Sequence, residues 1–345
     1  MINLDKELYK KIAKDIFTCD SPTGYTDNAL KVVEDYLTEF GYSFERIKKG
    51  GIKVTIDGLD NTKTVATSAH LDTLGFMVRS ITPKGTLKLV EIGGVATPSL
   101  DGEYCKIYTR SGKEYTGTVL IDVPAVHVYP DARSKERTVE NLEVRIDEEV
   151  KTKEDVLKLG ISNGDFVCYD PKFEITDSGF LKTRFIDDKA SAVVLLMLLK
   201  YASSHNLKFK YNTKIYFVVY EEVGHGASMV DKEISEFVTL DMGCVGLDLA
   251  GNEEAVSICA KDSGGPYDYE LTSRLIHLAK ENNLNYTVDI FPFYGSDIGA
   301  ASRAGVDFKG ALIGTGVSAS HGMERTHIKG IENTLKLIYL YLINE

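Results

Sequence analysis

The stretch KIYFVVYEEVGHGA, residues 214–227, decides how the rest of the chain is read. After Lys214 come six β-branched or aromatic residues, the composition of a buried strand. Glu221 and Glu222 then stand side by side, and glycines follow at 224 and 226. Acids are common where a strand emerges into solvent. In an open α/β sheet, however, ligands bind beyond the carboxyl ends of the strands. Two adjacent carboxylates there can divide the work, one holding a metal and the other carrying a proton.

The flanks of this stretch set the fold class. Before it, a helix is expected over 188–202; its apolar run ASAVVLLMLL, 190–199, is too short to span a bilayer and reads as a buried helix. After it come the strand-like runs FVTLD (237–241) and GLDLA (246–250), a helix over 267–282, the strands TVDIF (287–291) and KGALIG (309–314), and a helix over 331–344. Towards the N-terminus, Leu4, Leu8, Ile12 and Ile16 fall on one helical face. A second helix is expected from a cap at Thr26 or Asp27 to a stop at Gly41, then strands near 44–47, 52–56 and 64–69. Strands alternating with helices predict an α/β fold with a mostly parallel central sheet and helices on both faces.

Between 75 and 178 the texture changes. Short segments such as TLKLVEI, YCKIYTR and EYTGTVLI are separated by Gly and Pro turns, with one helix-like insert, KTKEDVLKLG. That pattern predicts a small β-barrel-like domain. The expected organisation is therefore a discontinuous α/β domain, 1–74 and 179–345, with a β domain inserted at 75–178.

Composition narrows the function. Across 345 residues, 40 Lys and Arg are outnumbered by 51 Asp and Glu, for a net charge of −11. That balance argues against a protein that grips nucleic-acid backbones. Charges interrupt the apolar residues of MINLDKELYKKIAKDIF, so no signal-peptide core is expected, and no membrane association. The five cysteines are scattered with no CxxC, which fits reduced thiols in a cytoplasm.

Five places carry the candidate chemistry, each where a strand stops or a helix begins: AHLD (His70, Asp72), FIDDK (Asp187, Asp188), YEEVG (Glu221, Glu222), TLD (Asp241) and SASHG (His321). Two imidazoles and several carboxylates are what a pair of close divalent metals needs, with one carboxylate bridging. The positive charge left over lowers the pKa of a shared water, and a carboxylate outside the ligand set can take its proton. In outline Glu222 is expected to bind metal and Glu221 to be the base. Asp188 has a second reading as a helix cap, and Asp248 competes with Asp241 as a strand-end acid.

The motifs HLDTLGFMV, IGGV, LGISNGD, IDDKASA, EEVGHGA, YGSDIGAA and SHGMERTHI run in this order across nearly the whole chain. Together they resemble the co-catalytic metallo-aminopeptidases of the glutamyl/deblocking aminopeptidase family, the tetrahedral dodecameric enzymes also known as cellulase M. The resemblance implies a zinc-exopeptidase-like fold and two divalent ions per subunit, zinc first, with cobalt or manganese also accepted. It implies that His70 and Asp241 hold one metal and Glu222 and His321 the other, with Asp187 bridging. Asp72 would orient His70 from behind, and Glu221 would be the general base. A non-proline cis peptide would follow Asp187. The inserted domain would be the dimerisation domain, with dimers building a dodecamer, and short peptides would be the substrates. Thr73, Lys189 and the short GHG loop carrying His225 depart from the family pattern and bear on substrate preference. Two other readings are a glycan hydrolase of the endoglucanase kind and a non-catalytic metal-binding scaffold. A glycosidase needs a carboxylate pair and no metal pair, which leaves His70 and His321 without a task.

Overall fold

In the computed structural model, which describes residues 2–344, the apolar run becomes the strand Tyr211–Val218. Its side chains alternate as a pleated strand requires: Ile215 and Phe217 enter one hydrophobic core, and Tyr216 and Val218 enter another on the opposite face. The chain forms two compact units, Met1–Thr73 with Lys172–Glu345, and Leu74–Pro171. Residues 172–178, expected in the inserted domain, belong to the first unit. Their strand Glu174–Ile175 pairs with Phe180–Thr183, which pairs in turn with Glu324–His327.

The first unit is built on a sheet ordered Glu45–Arg46, Ile52–Ile56, Tyr211–Val218, Asp60–His70, Glu236–Leu240, Lys309–Val317, Val256–Asp262 and Gly265–Pro266. The sheet is mixed rather than mostly parallel. Four adjacent strands, Tyr211–Val218, Asp60–His70, Glu236–Leu240 and Lys309–Val317, are parallel. Both flanks turn antiparallel. At the near flank the reason is connection length. Only three residues join Ile52–Ile56 to Asp60–His70, too few for the crossover that parallel strands need. At the far flank, Ser263 and Gly264 close a hairpin between Val256–Asp262 and Gly265–Pro266. Tyr286–Ile290 adds a parallel strand beside Val256–Asp262.

Helix Ile186–Ser204 is buried along nearly its whole length, and its residues from Ala190 to Leu199 join the larger core. A helix apolar on every side must be covered on every side. It packs against the strand Asp60–His70 and against helices Lys6–Phe17 and Ile328–Ile343. Burying each Leu or Val there contributes about 1.5–3 kcal/mol. Asp5 caps the first of these partner helices by accepting from the backbone N–H groups of Glu7 and Leu8. Helix Asp297–Arg303 lies on the other face, where Ile298 and Ala301 join Val218 and Phe237.

One expectation about strands is corrected. GLDLA is not a strand; it lies in turns, with Leu247 fully exposed. Its place in the sheet is taken by Val256–Asp262, whose sequence VSICAKD ends in charge but whose first four residues are buried. The second unit is a closed six-stranded barrel, ordered Gly75–Ile81, Leu87–Ile92, Leu142–Ile146, Glu114–Ile121, Tyr104–Tyr108 and Phe166–Tyr169. Its helix Lys153–Leu159 starts with a capping box on Thr152 and Asp155 and stops at Gly160, whose φ is 89°. No helix among the described residues is long and apolar enough to cross a membrane.

Candidate active site

The four parallel strands end together, and each delivers chemistry at its carboxyl end. His70 closes Asp60–His70 in register with Val218, so Glu221 and Glu222 emerge beside it. Asp241 directly follows Glu236–Leu240, and His321 follows Lys309–Val317. Asp187 enters from the start of the buried helix, and the Asp187–Asp188 peptide is cis. Every residue proposed from the sequence as a ligand or base therefore reaches one place.

Asp187 sits at its centre. Its Oδ1 lies 3.0 Å from Nε2 of His70 and its Oδ2 lies 3.3 Å from Nε2 of His321. Glu221 stands on the His70 side, 3.7 Å away, and Glu222 on the His321 side, 3.8 Å away. Ligand atoms of His70, Glu221 and Asp241 lie within 4.8 Å of one another, and so do those of His70, Asp187 and Glu222. The acid pair occupies a turn, closed by the Gly224 N–H on the Glu221 carbonyl. Its side chains still part company, one towards each histidine. Glu221 is the more open of the two, 15% exposed against 5% for Glu222.

Asp72 braces this arrangement from behind. Its Oδ1 accepts from the Glu221 N–H and its Oδ2 from the Glu222 N–H and the Thr23 hydroxyl. The Asp72 carbonyl lies 2.9 Å from Nδ1 of His70. A carbonyl only accepts, so Nδ1 carries a proton there, and Nε2 is the nitrogen that faces Asp187, donating to it when protonated and free to bind a metal once deprotonated. Asp188 accepts the His70 backbone N–H instead of capping its helix. Asp241 depends on Gly314: a Cβ there would lie 1.6 Å from the Asp241 carbonyl oxygen, so only glycine lets the two backbones cross.

Four residues outside the sequence-derived set complete the site. Asp297 accepts from the Ala227 N–H and so pins the turn after the glutamates. Thr23 belongs to CDSPTGY, which the sequence marks only as a break; Ser21 of the same loop donates to the Leu71 carbonyl. Glu324 accepts from three backbone N–H groups around Asp187 and His321. Arg303 donates to the Gly224 carbonyl and is the cation on a wall otherwise lined by Asp187, Glu221, Glu222 and Asp241. The cavity they enclose holds about 420 Å³ and is closed further by Tyr294, Phe293 and Cys244. Asp248 lies outside this cavity, against Leu247 and Pro292. Of the residues that depart from the family pattern, Lys189 is buried and donates to the Cys19 carbonyl, and the ring of His225 stacks on Tyr220.

The electrostatics call for cations. Burial is the main cause that holds Asp188, Glu221, Glu222 and Asp241 well above the ordinary carboxylate range, and neighbouring carboxylates add to it. Burial opposes charge on His70, but Asp187, Glu221 and Asp241 outweigh it and raise the imidazole. Asp187 alone goes down: burial works against its charge, and the two imidazoles overcome that. Oε1 of Glu222 is buried without a hydrogen-bond partner. An orphaned carboxylate oxygen beside two histidines fits a divalent ion as its missing partner.

A pH dependence follows for the chelator-stripped protein. A carboxylate raised on folding binds a proton that the unfolded chain has already lost, so stability falls as pH rises from about 4 towards the raised value. His70 acts in the same direction, its contribution being lost as pH rises through its folded value. Asp187 contributes at neutral pH and loses its contribution only in acid. In EDTA the Tm is therefore expected to drop between pH 6 and pH 8 by more than ~3 °C, roughly the shift of about 1 kcal/mol. Saturating divalent metal is expected to abolish or reverse the trend, because ligands bind deprotonated. A Tm that rises with pH in EDTA would contradict this charge arrangement.

Comparison with known proteins gives the family and the fold. The family profile described as M42 glutamyl aminopeptidase matches residues 50–337. The Bacillus subtilis protein named "Putative aminopeptidase YhfE" is 43% identical over 333 residues, covering 96% of each chain. A solved structure of Pyrococcus horikoshii TET1 peptidase, described as assembling into a tetrahedron or a large octahedral shell, superposes with a TM-score of 0.86 at 20% identity, covering 98% of this chain and 100% of that one. A Thermotoga maritima structure named an endoglucanase gives 0.74 at 20% identity, covering 96% of each. At such identities the likeness is one of fold.

Proposed function

The chain belongs to the M42 glutamyl aminopeptidase family, and from that premise we propose that it is a two-metal aminopeptidase releasing N-terminal residues from short peptides. The observation that carries the reading is Asp187, whose two oxygens face the Nε2 atoms of His70 and His321. His70 and Asp241 would hold one ion, Glu222 and His321 the other, with Asp187 between them. Bound divalent ions, zinc foremost, would supply Lewis-acid polarisation of the scissile carbonyl and a water of lowered pKa.

The protein's own residues do the rest. Asp72 fixes the His70 tautomer and, through two backbone N–H groups, the orientation of the acid pair. Glu221, at the open side of the cluster, takes the proton of the attacking water and returns it to the departing amine. A cavity of about 420 Å³ supports a small substrate, such as the end of a peptide. The relative's tetrahedral shell supports a matching assembly here, with dimers made through the Leu74–Pro171 unit and dodecamers made from dimers. The free cysteines accord with a cytoplasmic enzyme.

The experiment is a panel of aminoacyl substrates before and after chelation. Hydrolysis is expected to vanish in chelator and return with zinc, cobalt or manganese. Glucan hydrolysis that ignores chelator would overturn the proposal in favour of a glycosidase.

A further inference from the structure

We propose that Glu324 is the positioning residue that sets the spacing of Asp187 and His321, and through it the affinity of the site for metal. The inference rests on the reading of the site as a metal centre. Glu324 is 2% exposed and does not line the cavity, so it acts through other groups. Its Oε2 accepts from the N–H groups of Ile186, at 2.5 Å, and Asp187, at 3.1 Å. Its Oε1 accepts from the N–H of His321, at 2.9 Å. One carboxylate thus clamps two loops that lie far apart in the chain, one with the central acid and one with an imidazole against it.

Neither loop is held there by regular secondary structure. Asp187 is non-helical at the mouth of its helix, with φ −72° and ψ 101°. His321 has φ 64°, in the left-handed region that a non-glycine residue enters only when its surroundings require it. Without Glu324 these N–H groups would need other partners inside the protein. The clamp itself is firmly rooted: Glu324 begins the strand Glu324–His327 and pairs with Thr183, three residues before Ile186.

Glutamine cannot reproduce the clamp. It has one accepting oxygen, so its amide nitrogen must face either the His321 N–H or the Ile186 and Asp187 N–H pair. Aspartate keeps the charge but is one methylene short of both loops. Outer groups that orient metal ligands typically govern affinity by about 10–100-fold. The test is a calorimetric zinc titration of the chelator-stripped full chain as wild type, Glu324→Gln and Glu324→Asp, with circular dichroism and peptide kinetics. Both variants are expected to fold, to bind at least one zinc equivalent more weakly by ~10–100-fold, and to lose kcat at low zinc with partial recovery at high zinc. A purely structural residue would lower Tm and leave zinc affinity alone. Zinc affinities within twofold of wild type in Glu324→Gln would overturn the assignment, as would failure of both variants to fold. If the wild type itself takes up no metal, the metal-centre reading fails, and this inference with it.

Discussion

Glu221→Gln is expected to keep the fold and the bound metals and to lose about 10²–10⁴-fold in kcat, the range that general-base catalysis contributes. The amide has nearly the shape of the carboxylate but cannot take a proton. The assignment has to be tested against a specific competitor, because Glu221 lies 3.7 Å from His70 and shares a cluster with it and Asp241. If Glu221 is a ligand of that ion, Glu221→Gln will lose metal before it loses turnover at saturating metal. If it is the base, metal content stays and kcat falls. Glu222→Gln provides the contrast. Its side chain is nearly buried, its Oε1 has no protein partner, and its Oε2 faces His321. That variant is expected to lose metal first and activity with it. An active Glu221→Gln alongside a Glu222→Gln that keeps both metals would reverse the two roles.

The residues legible in the sequence share a local signature. An apolar run with strand composition stops, and a His, Asp or Glu follows at once. His70, Glu221, Glu222 and Asp241 all obey it, and parallel neighbours carry them to one edge of the sheet. Glu324 does not obey it. In GMERTH it reads as a polar surface residue, and its burial depends on a contact with residues 137 and 138 positions away. Thr23 and Asp297 were missed for the same reason, since each is defined by the distant group it bonds, Asp72 or Ala227.

The errors in the sheet have a related cause. Alternation reports which face of a segment is buried if it is a strand, not whether it finds a partner. GLDLA alternates well, yet it has no neighbour and leaves Leu247 in solvent. VSICAKD alternates poorly because it is covered on both faces, and it occupies the place between Lys309–Val317 and Tyr286–Ile290. Strand direction was no more legible. At the near flank it follows from a link of three residues, which turns Ile52–Ile56 against the parallel strands, and the α/β texture hides it.

Asp187→Asn is expected to be the most damaging single-atom exchange in the protein. The carboxylate faces one imidazole with each oxygen, at 3.0 and 3.3 Å. Asparagine keeps an oxygen for one side only and turns an NH₂ group towards the other. A bridging site needs negative charge on both sides at once, so both ions are weakened rather than one. The metals' contribution, several kcal/mol of transition-state stabilisation, corresponds to at least ~10³-fold in rate. Activity should therefore fall below that of Glu222→Gln, where one ion keeps its ligands. The change also removes the partner that does most to raise the His70 imidazole. In EDTA, the part of the pH dependence owed to His70 should shrink, while the part owed to Glu221, Glu222 and Asp241 persists. Metal analysis and Tm against pH, measured on Asp187→Asn and wild type together, separate these effects. Two tightly held equivalents in Asp187→Asn would show that Asp187 does not bridge.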